Sequence, residues 1–216
     1  MKEINVEKWD RKKIYEWFKS FSNACWSITS EIEVSKVVKY TKESETSFFI
    51  NFLYALVKTL NSFECMRMRL VDDKPVIYDD VRPAYTVALE NGLYDNLRHD
   101  YIDEYKEFYS LAHKKIEEIK NGKIDKGSYN PKNCYNEYYI TCLPWVRFSN
   151  VSHPLPDDKS SQSIPRICWG KYFEKEDKYF MDFNITINHM FCDGKDVSMF
   201  LLKLQENINN IDSLIK

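Results

Sequence analysis

The segment KYFMDFNITINHMFCDG, residues 178–194, restricts the available folds more than any other part of the chain. Tyr179, Met181, Phe183, Ile185, Ile187 and His189 fall on one side of an extended chain, and Asp182, Asn184, Thr186 and Asn188 on the other. This alternation predicts a strand with one apolar, core-facing side that carries His189 at its end. The strand breaks at Asp193-Gly194. Val197, Phe200, Leu201, Leu204 and Ile208 then recur at helical spacing, so a helix is expected after Gly194.

The rest of the chain supplies partners for that strand. EKWDRKKIYEWFKSF, from residue 7, puts Trp9, Ile14, Trp17, Phe18 and Phe21 near helical spacing. SITSEIEVS alternates as a strand. TSFFINFLYALVKTLNSF is apolar on nearly every side and predicts a buried helix. CMRMRLVDDKPVIYDDVRPAYTVAL reads as strand, turn and strand, with DDKP as the turn. Residues 100–120 predict a helix with Ile102, Tyr105, Tyr109, Ala112, Ile116 and Ile119 on one face, ended by the polar KNGKIDKGSYNPKN. YYITCLPWVRF is a strand broken by Pro144, and SNVSHPLPDDKSSQSIPR is a long polar loop. RICWGKYFEKEDKYFMDFNITINHM is a hairpin turning at EKED. Irregular alternation of strands and helices, with hairpins among them, predicts an α+β fold: a mixed β-sheet with helices on its faces. No linker or repeat divides the 216 residues, so a single domain over 1–216 is expected.

Acids and bases nearly balance, for a net charge of −2, and no basic stripe points to nucleic acid. The opening MKEINVEKWDRKK lacks the apolar core of a leader, and no apolar run is long enough for a membrane span. Cys25, Cys65, Cys134, Cys142, Cys168 and Cys192 show no framework spacing, so free thiols in a reducing cytoplasm are expected.

Three readings of His189 follow from the residues alone. It is a satisfied core histidine with Asp193 capping the next helix. It is half of a metal site with Cys192, although no second pair supplies the other ligands of a zinc centre. Or it is a neutral imidazole at the mouth of the core, able to act as a general base.

HMFCDG resembles the His-x-x-x-Asp-Gly signature of the chloramphenicol acetyltransferases, which other CoA-dependent acyltransferases share. EKWDRKKIYEWF resembles that family's N-terminal Trp-x-Arg-Lys segment. FECMRMRLVDDKPVIYDDVRPAYTV resembles its central segment, CLPWVRF its Pro-Trp-x-x-Phe segment, and GKYFEKEDKYFMDFNITINHMFCDG its hairpin leading into the histidine. The segments run in the family's order over essentially the whole chain. The resemblance implies a mixed sheet covered by helices and a homotrimer with active sites between subunits. Acetyl-CoA would serve as cosubstrate, with no permanently bound cofactor and no metal. His189 would be the base, moving acetyl directly to an acceptor hydroxyl without an acyl-enzyme. Thr141, where the family has a serine, would donate to the oxyanion. Asp193 would pair with Arg11 and brace the turn. Lys171 and Tyr172 would lie near CoA.

The chain departs from the family around that centre. Asn188 replaces a histidine, Lys195-Asp196 replaces Phe-His, and Cys168 replaces a threonine that helps hold a water. Trp17, Phe18 and Tyr94 match aromatic pocket positions, whereas Val151, His153 and Arg166 replace large apolar ones. Chloramphenicol, hence antibiotic resistance, is the first acceptor implied. A more polar acceptor is the alternative implied by Arg166, unless Arg166 turns outward and only its stem packs. A decayed, binding-only protein is a reading of another class. A dihydrolipoyl acyltransferase core would be expected to follow a lipoyl domain and an Ala/Pro-rich linker.

Overall fold

The computed structural model describes residues 1–123 and 135–216. Ten strands, β1 (Lys2–Glu3), β2 (Cys25–Glu33), β3 (Met68–Val71), β4 (Lys74–Ile77), β5 (Arg82–Ala88), β6 (Tyr94–Arg98), β7 (Glu137–Leu143), β8 (Arg166–Gly170), β9 (Phe173–Lys175) and β10 (Lys178–Asn188), make two sheets. The large sheet runs β2-β10-β8-β7-β5-β6, with β9 also paired to β10; the small one runs β1-β4-β3. β7 is parallel to both β5 and β8, and the remaining pairs are antiparallel. The fold is therefore a mixed sheet with helices.

The helices are α1 (Lys12–Lys19), α2 (Ser35–Ser44), α3 (Phe48–Asn61), α4 (Glu64–Arg67), α5 (Tyr105–Lys120), α6 (Lys159–Gln162), α7 (Gly194–Asn209) and α8 (Ile211–Leu214). α3 starts where the Ser47 side chain caps Ile50 N and is buried along most of its length. Its Phe52 ring packs 5.0 Å from Trp169 and 6.3 Å from Phe183, which places α3 on the apolar side of β8 and β10. α7 and α5 flank it, and Val197, Phe200, Leu204 and Ile208 of α7 are buried as the spacing predicts. The polar Asn51 of α3 is fully buried yet satisfied: its amide donates to Thr41 and Thr46, and it accepts from Tyr105.

The other side of the sheet is polar. Strand register lines up Asn96, Thr86, Thr141, Cys168, Asn184 and Thr29 in one cross-strand row. Arg98, Ala84, Tyr139, Arg166, Thr186 and Ser27 form the next. The segment 144–165 lies over part of this face. Arg147 binds Asp182 with N–O distances of 3.1 Å, and His153 reaches Asn184. Gly170 permits the approach, since a Cβ there would stand 2.9 Å from the Val146 carbonyl oxygen.

Several local expectations are corrected. The first helix is only α1, and its buried residue is Tyr15; Ile14, Trp17 and Phe21 face outward. The segment after DDKP splits: β4 stays in the small sheet, Tyr78–Val81 breaks, and β5 joins the large one. Asp72 and Asp73, both at positive φ, make the turn itself. Helix α2 escapes the sequence reading, because only Val37 and Val38 of its ten residues are buried. α5 begins at Tyr105, capped by Glu104, and buries Phe108 instead of Ile102. α6 interrupts the polar loop. Of the polar segment after α5, residues 124–133 lie outside the described residues, as does Cys134. The five described cysteines are free.

Candidate active site

β10 ends at Asn188, and the chain turns through His189–Asp193 into α7. Arg11, at the start of α1, clamps this turn. Its Nη1 and Nη2 donate to the two Asp193 carboxylate oxygens at 2.7 and 2.6 Å. Nη2 also donates to the His189 carbonyl at 2.9 Å, and Nε to the Met190 carbonyl at 2.8 Å. The pair is a bidentate, charge-assisted fork in a half-buried setting. Hydrogen bonding from Arg11, against an opposing desolvation, holds the Asp193 carboxyl below its ordinary value. Asn188 completes the turn: its side-chain oxygen accepts from Met190 N at 3.0 Å. Asp196 accepts from Asp193 N and fixes the start of α7.

The imidazole of His189 stacks on Phe18, with ring centres 4.1 Å apart and planes 10° apart, and Trp26 stands 5.5 Å away. Nδ1 is buried and 3.1 Å from Asp193 Oδ1, at an angle outside good hydrogen-bond geometry. The side chain is about a third exposed, and that exposure lies away from Nδ1. His189 thus ends the core strand without being enclosed by it. Among the described residues no group of three or more His, Cys, Asp or Glu is placed to hold a metal ion.

Thr141 sits elsewhere, in the middle of β7, with its hydroxyl 3.1 Å from that of Thr86. Its row meets β10 at Asn184. His189 is five residues further on, about 16 Å along the strand, and β7 is two strand spacings, about 10 Å, to the side. One chain therefore cannot bring these two side chains to one reacting atom.

Thr141 lines a cavity of about 600 Å³ on the polar face of the sheet, together with His153 and Arg166. Arg166 is directed inward, not to solvent: it is 5% exposed. The remaining pocket candidates divide. Phe18 and Trp17 stand by His189 on α1, Trp17 largely exposed. Tyr94 is exposed on edge strand β6; Val151 is half-buried; Cys168 is sealed beneath the sheet surface next to Thr141 in its row. None of these five lines the cavity. Lys171 is exposed, and its backbone N–H donates to Val146 O. Tyr172 packs on Phe48 and Tyr179, with ring centres 5.0 and 5.7 Å away. The sequence reading passed over Trp26, Thr86, Asn96, Arg98 and Tyr139. The last four share a sheet face with Thr141, which becomes visible only once the strands are paired.

Comparison with known proteins places this arrangement. The family profile described as chloramphenicol acetyltransferase matches residues 1–205. A chloramphenicol acetyltransferase of Escherichia coli is 26% identical over 205 residues, covering 94% of this chain and 91% of its own. One from Clostridium butyricum is 27% identical over 207 residues, covering 94% and 92%. A solved chloramphenicol acetyltransferase superposes with a TM-score of 0.83 at 27% identity, covering 95% of this chain and 99% of that one. A probable dihydrolipoamide acetyltransferase from Listeria monocytogenes shares the fold at a TM-score of 0.65 and 15% identity, covering 96% and 93%. No helix among the described residues is long and apolar enough to cross a membrane. With its profile matched almost end to end and its mixed sheet superposing on a solved member, the chain belongs to the chloramphenicol acetyltransferase family and is an acyltransferase.

Proposed function

We propose that this protein is an acetyl-CoA-dependent O-acetyltransferase with His189 as its general base. The observation that carries the reading is the Arg11 clamp on the His189–Asp193 turn. Four hydrogen bonds from Arg11, two of which form the Asp193 ion pair, and the Phe18 stack hold an imidazole with one nitrogen inward and its other edge open. That is the preorganisation a proton-accepting group needs.

In the reaction, neutral His189 takes the proton of an acceptor hydroxyl through Nε2. The oxygen attacks the thioester carbonyl of acetyl-CoA, and a tetrahedral oxyanion forms. The Thr141 hydroxyl donates to that oxyanion. As the C–S bond breaks, the imidazolium returns its proton to the leaving thiolate, giving the O-acetyl product and CoA. Asp193 and Arg11 position the base and exchange no proton.

The distance between His189 and Thr141 within one chain supports a shared site, in which His189 of one copy faces Thr141 of the next. The aromatic cluster of Trp17, Phe18 and Phe21 beside His189, with Trp17 and Phe21 exposed, suits burial against such a copy. A homotrimer with interfacial sites satisfies both observations. Acetyl-CoA is cosubstrate, with Lys171 and Tyr172 on its side of the site, and no resident cofactor or metal takes part. The protein acts in the cytoplasm as a single domain over 1–216.

Chloramphenicol is the first acceptor to assay, and its acetylation would make this a resistance enzyme. Release of CoA thiol from acetyl-CoA is followed with chloramphenicol and a panel of hydroxyl compounds, with His189→Ala as control. Turnover that falls at least about a thousandfold in His189→Ala is expected, since the base contributes to both proton transfers. Equal rates in the two proteins would remove His189 from the mechanism.

A further inference from the structure

The cavity beside Thr141 has an uncompensated charge. Arg166 is almost fully buried, and two of its donors serve the Ile164 and Ser161 carbonyls at 3.0 and 3.1 Å. Among the described residues no carboxylate lies within salt-bridge distance of it, 4.0 Å. The groups nearest in charge terms are the Cys25 thiol and the Tyr139 phenol. Burial pushes the Cys25 thiol up to about 11, so it is neutral at pH 7. The Tyr139 ring centre is 5.6 Å from the guanidinium carbon, a cation–π contact.

His153 stands on the cavity wall as a hydrogen-bonding group, with Nε2 3.3 Å from Asn184 Oδ1 and its imidazole held below its ordinary value by desolvation. Arg98 also lines it, with Nε 3.3 Å from Glu137 Oε1. No Asp or Glu is among the lining residues. A buried cation without a counter-ion is costly, and an anionic ligand removes that cost. An apolar acceptor would leave it in place.

We propose that Arg166, assisted by His153, forms an anion subsite in the acceptor cavity, so that the hydroxyl compound acetylated here also bears a carboxylate or a phosphate. This rests on the acetyl-transfer reading and names its substrate class. Arg166 pairs with Tyr139, two residues before Thr141 on β7. The backbone positions of Arg166 and Thr141 are therefore about 8 Å apart. The acceptor carries its hydroxyl near Thr141 and its anionic group several bonds away, across a span the size of a benzene ring. Tyr139, between them, supplies a flat wall for such a ring.

The test uses 4-(hydroxymethyl)benzoate, 4-(hydroxymethyl)phenyl phosphate and the uncharged methyl 4-(hydroxymethyl)benzoate. CoA release is measured with the wild-type protein, Arg166→Gln and His153→Gln. Calorimetric titration of the same three compounds reads binding without turnover. One or both anions are expected to exceed the ester at least about tenfold in kcat/KM, chiefly through KM. Arg166→Gln should abolish that preference, lowering kcat/KM for the anions at least about tenfold relative to the ester. Which anion leads identifies carboxylate or phosphate. Folding of each variant is checked by thermal melt. If Arg166→Gln unfolds, His153→Gln, on a surface loop, decides the matter by reducing the preference about threefold. Acetyl transfer without any charge preference would overturn the subsite and leave the transferase reading intact. It would mean that a neighbouring copy supplies the counter-ion. Anion-selective binding with no CoA release from any acceptor would support the subsite and overturn the transferase reading.

Discussion

Arg11 illustrates how much one side chain can organise. Its guanidinium holds two backbone carbonyls and one carboxylate across 178 or more residues of sequence. Lysine has the charge but not the fork, so Arg11→Lys is a substantial change here. In Arg11→Met, stability at pH 7 should fall by about 2 kcal/mol, the scale of lost charge-assisted hydrogen bonds. The pH dependence has a definite sign. Arg11 lowers the folded-state value of Asp193. The stabilisation is present above the unfolded carboxyl value of about 3.9 and is lost as pH falls through the lower folded value. Urea unfolding of both proteins at pH 7 and near pH 2.5 checks this. The gap should narrow at low pH, and a constant gap would mean the ion pair contributes nothing. Asp193 and His189 are legible in the sequence because the motif keeps them together with the Asp-Gly break, whereas Arg11 follows only from the family resemblance, since DRKK by itself reads as a solvated charge run. The Phe18 stack is not legible, because nothing local says which ring of α1 turns toward residue 189.

At the scale of elements, the strands and helices with strong periodicity are readable and the weakly patterned ones are not. β10 and α7 follow their alternation and their 3.6-residue spacing. α2 has two buried valines and no glycine at its end, so neither periodicity nor a stop signal marks it. It closes instead on Glu45, held at φ 54, where an L side chain is strained. Glu45→Gly should relieve this and raise stability by about 0.5–1 kcal/mol, the gain remaining after the extra unfolded-state freedom of glycine. Denaturant midpoints of the two proteins test it, and a lower midpoint for the glycine variant would show that Glu45 is not strained. α1 errs in the other direction. Its aromatic spacing is real, but Ile14, Trp17 and Phe21 point outward because Tyr15, packed 5.5 Å from Trp9 and 6.2 Å from Phe191, takes the inner side.

For the whole molecule, the decisive fact is that His189 and Thr141, the proposed base and oxyanion donor, are far apart within one chain. A site shared between copies predicts complementation. Thr141→Ala alone should lose about a hundredfold or more in kcat, whereas Thr141→Ser should keep most of it. His189→Ala and Thr141→Ala chains denatured and refolded together should recover activity that neither has alone, because mixed assemblies pair an intact His189 with an intact Thr141. Activity no greater than the sum of the two parents would place both residues' work within one chain.

The sequence by itself determined the mixed α+β class, the buried helix and the His-x-x-x-Asp-Gly turn. Those features are written in spacing along the chain, where alternate or every third and fourth residue share a face whatever lies opposite. Only the tertiary structure decided that β7 lies between β5 and β8, that Thr141 and Arg166 share one cavity, and that His189 stands at the other end of the sheet. Strand order and burial of a charge are long-range outcomes. They depend on which surfaces find each other on folding, and no local pattern in these 216 residues specifies that.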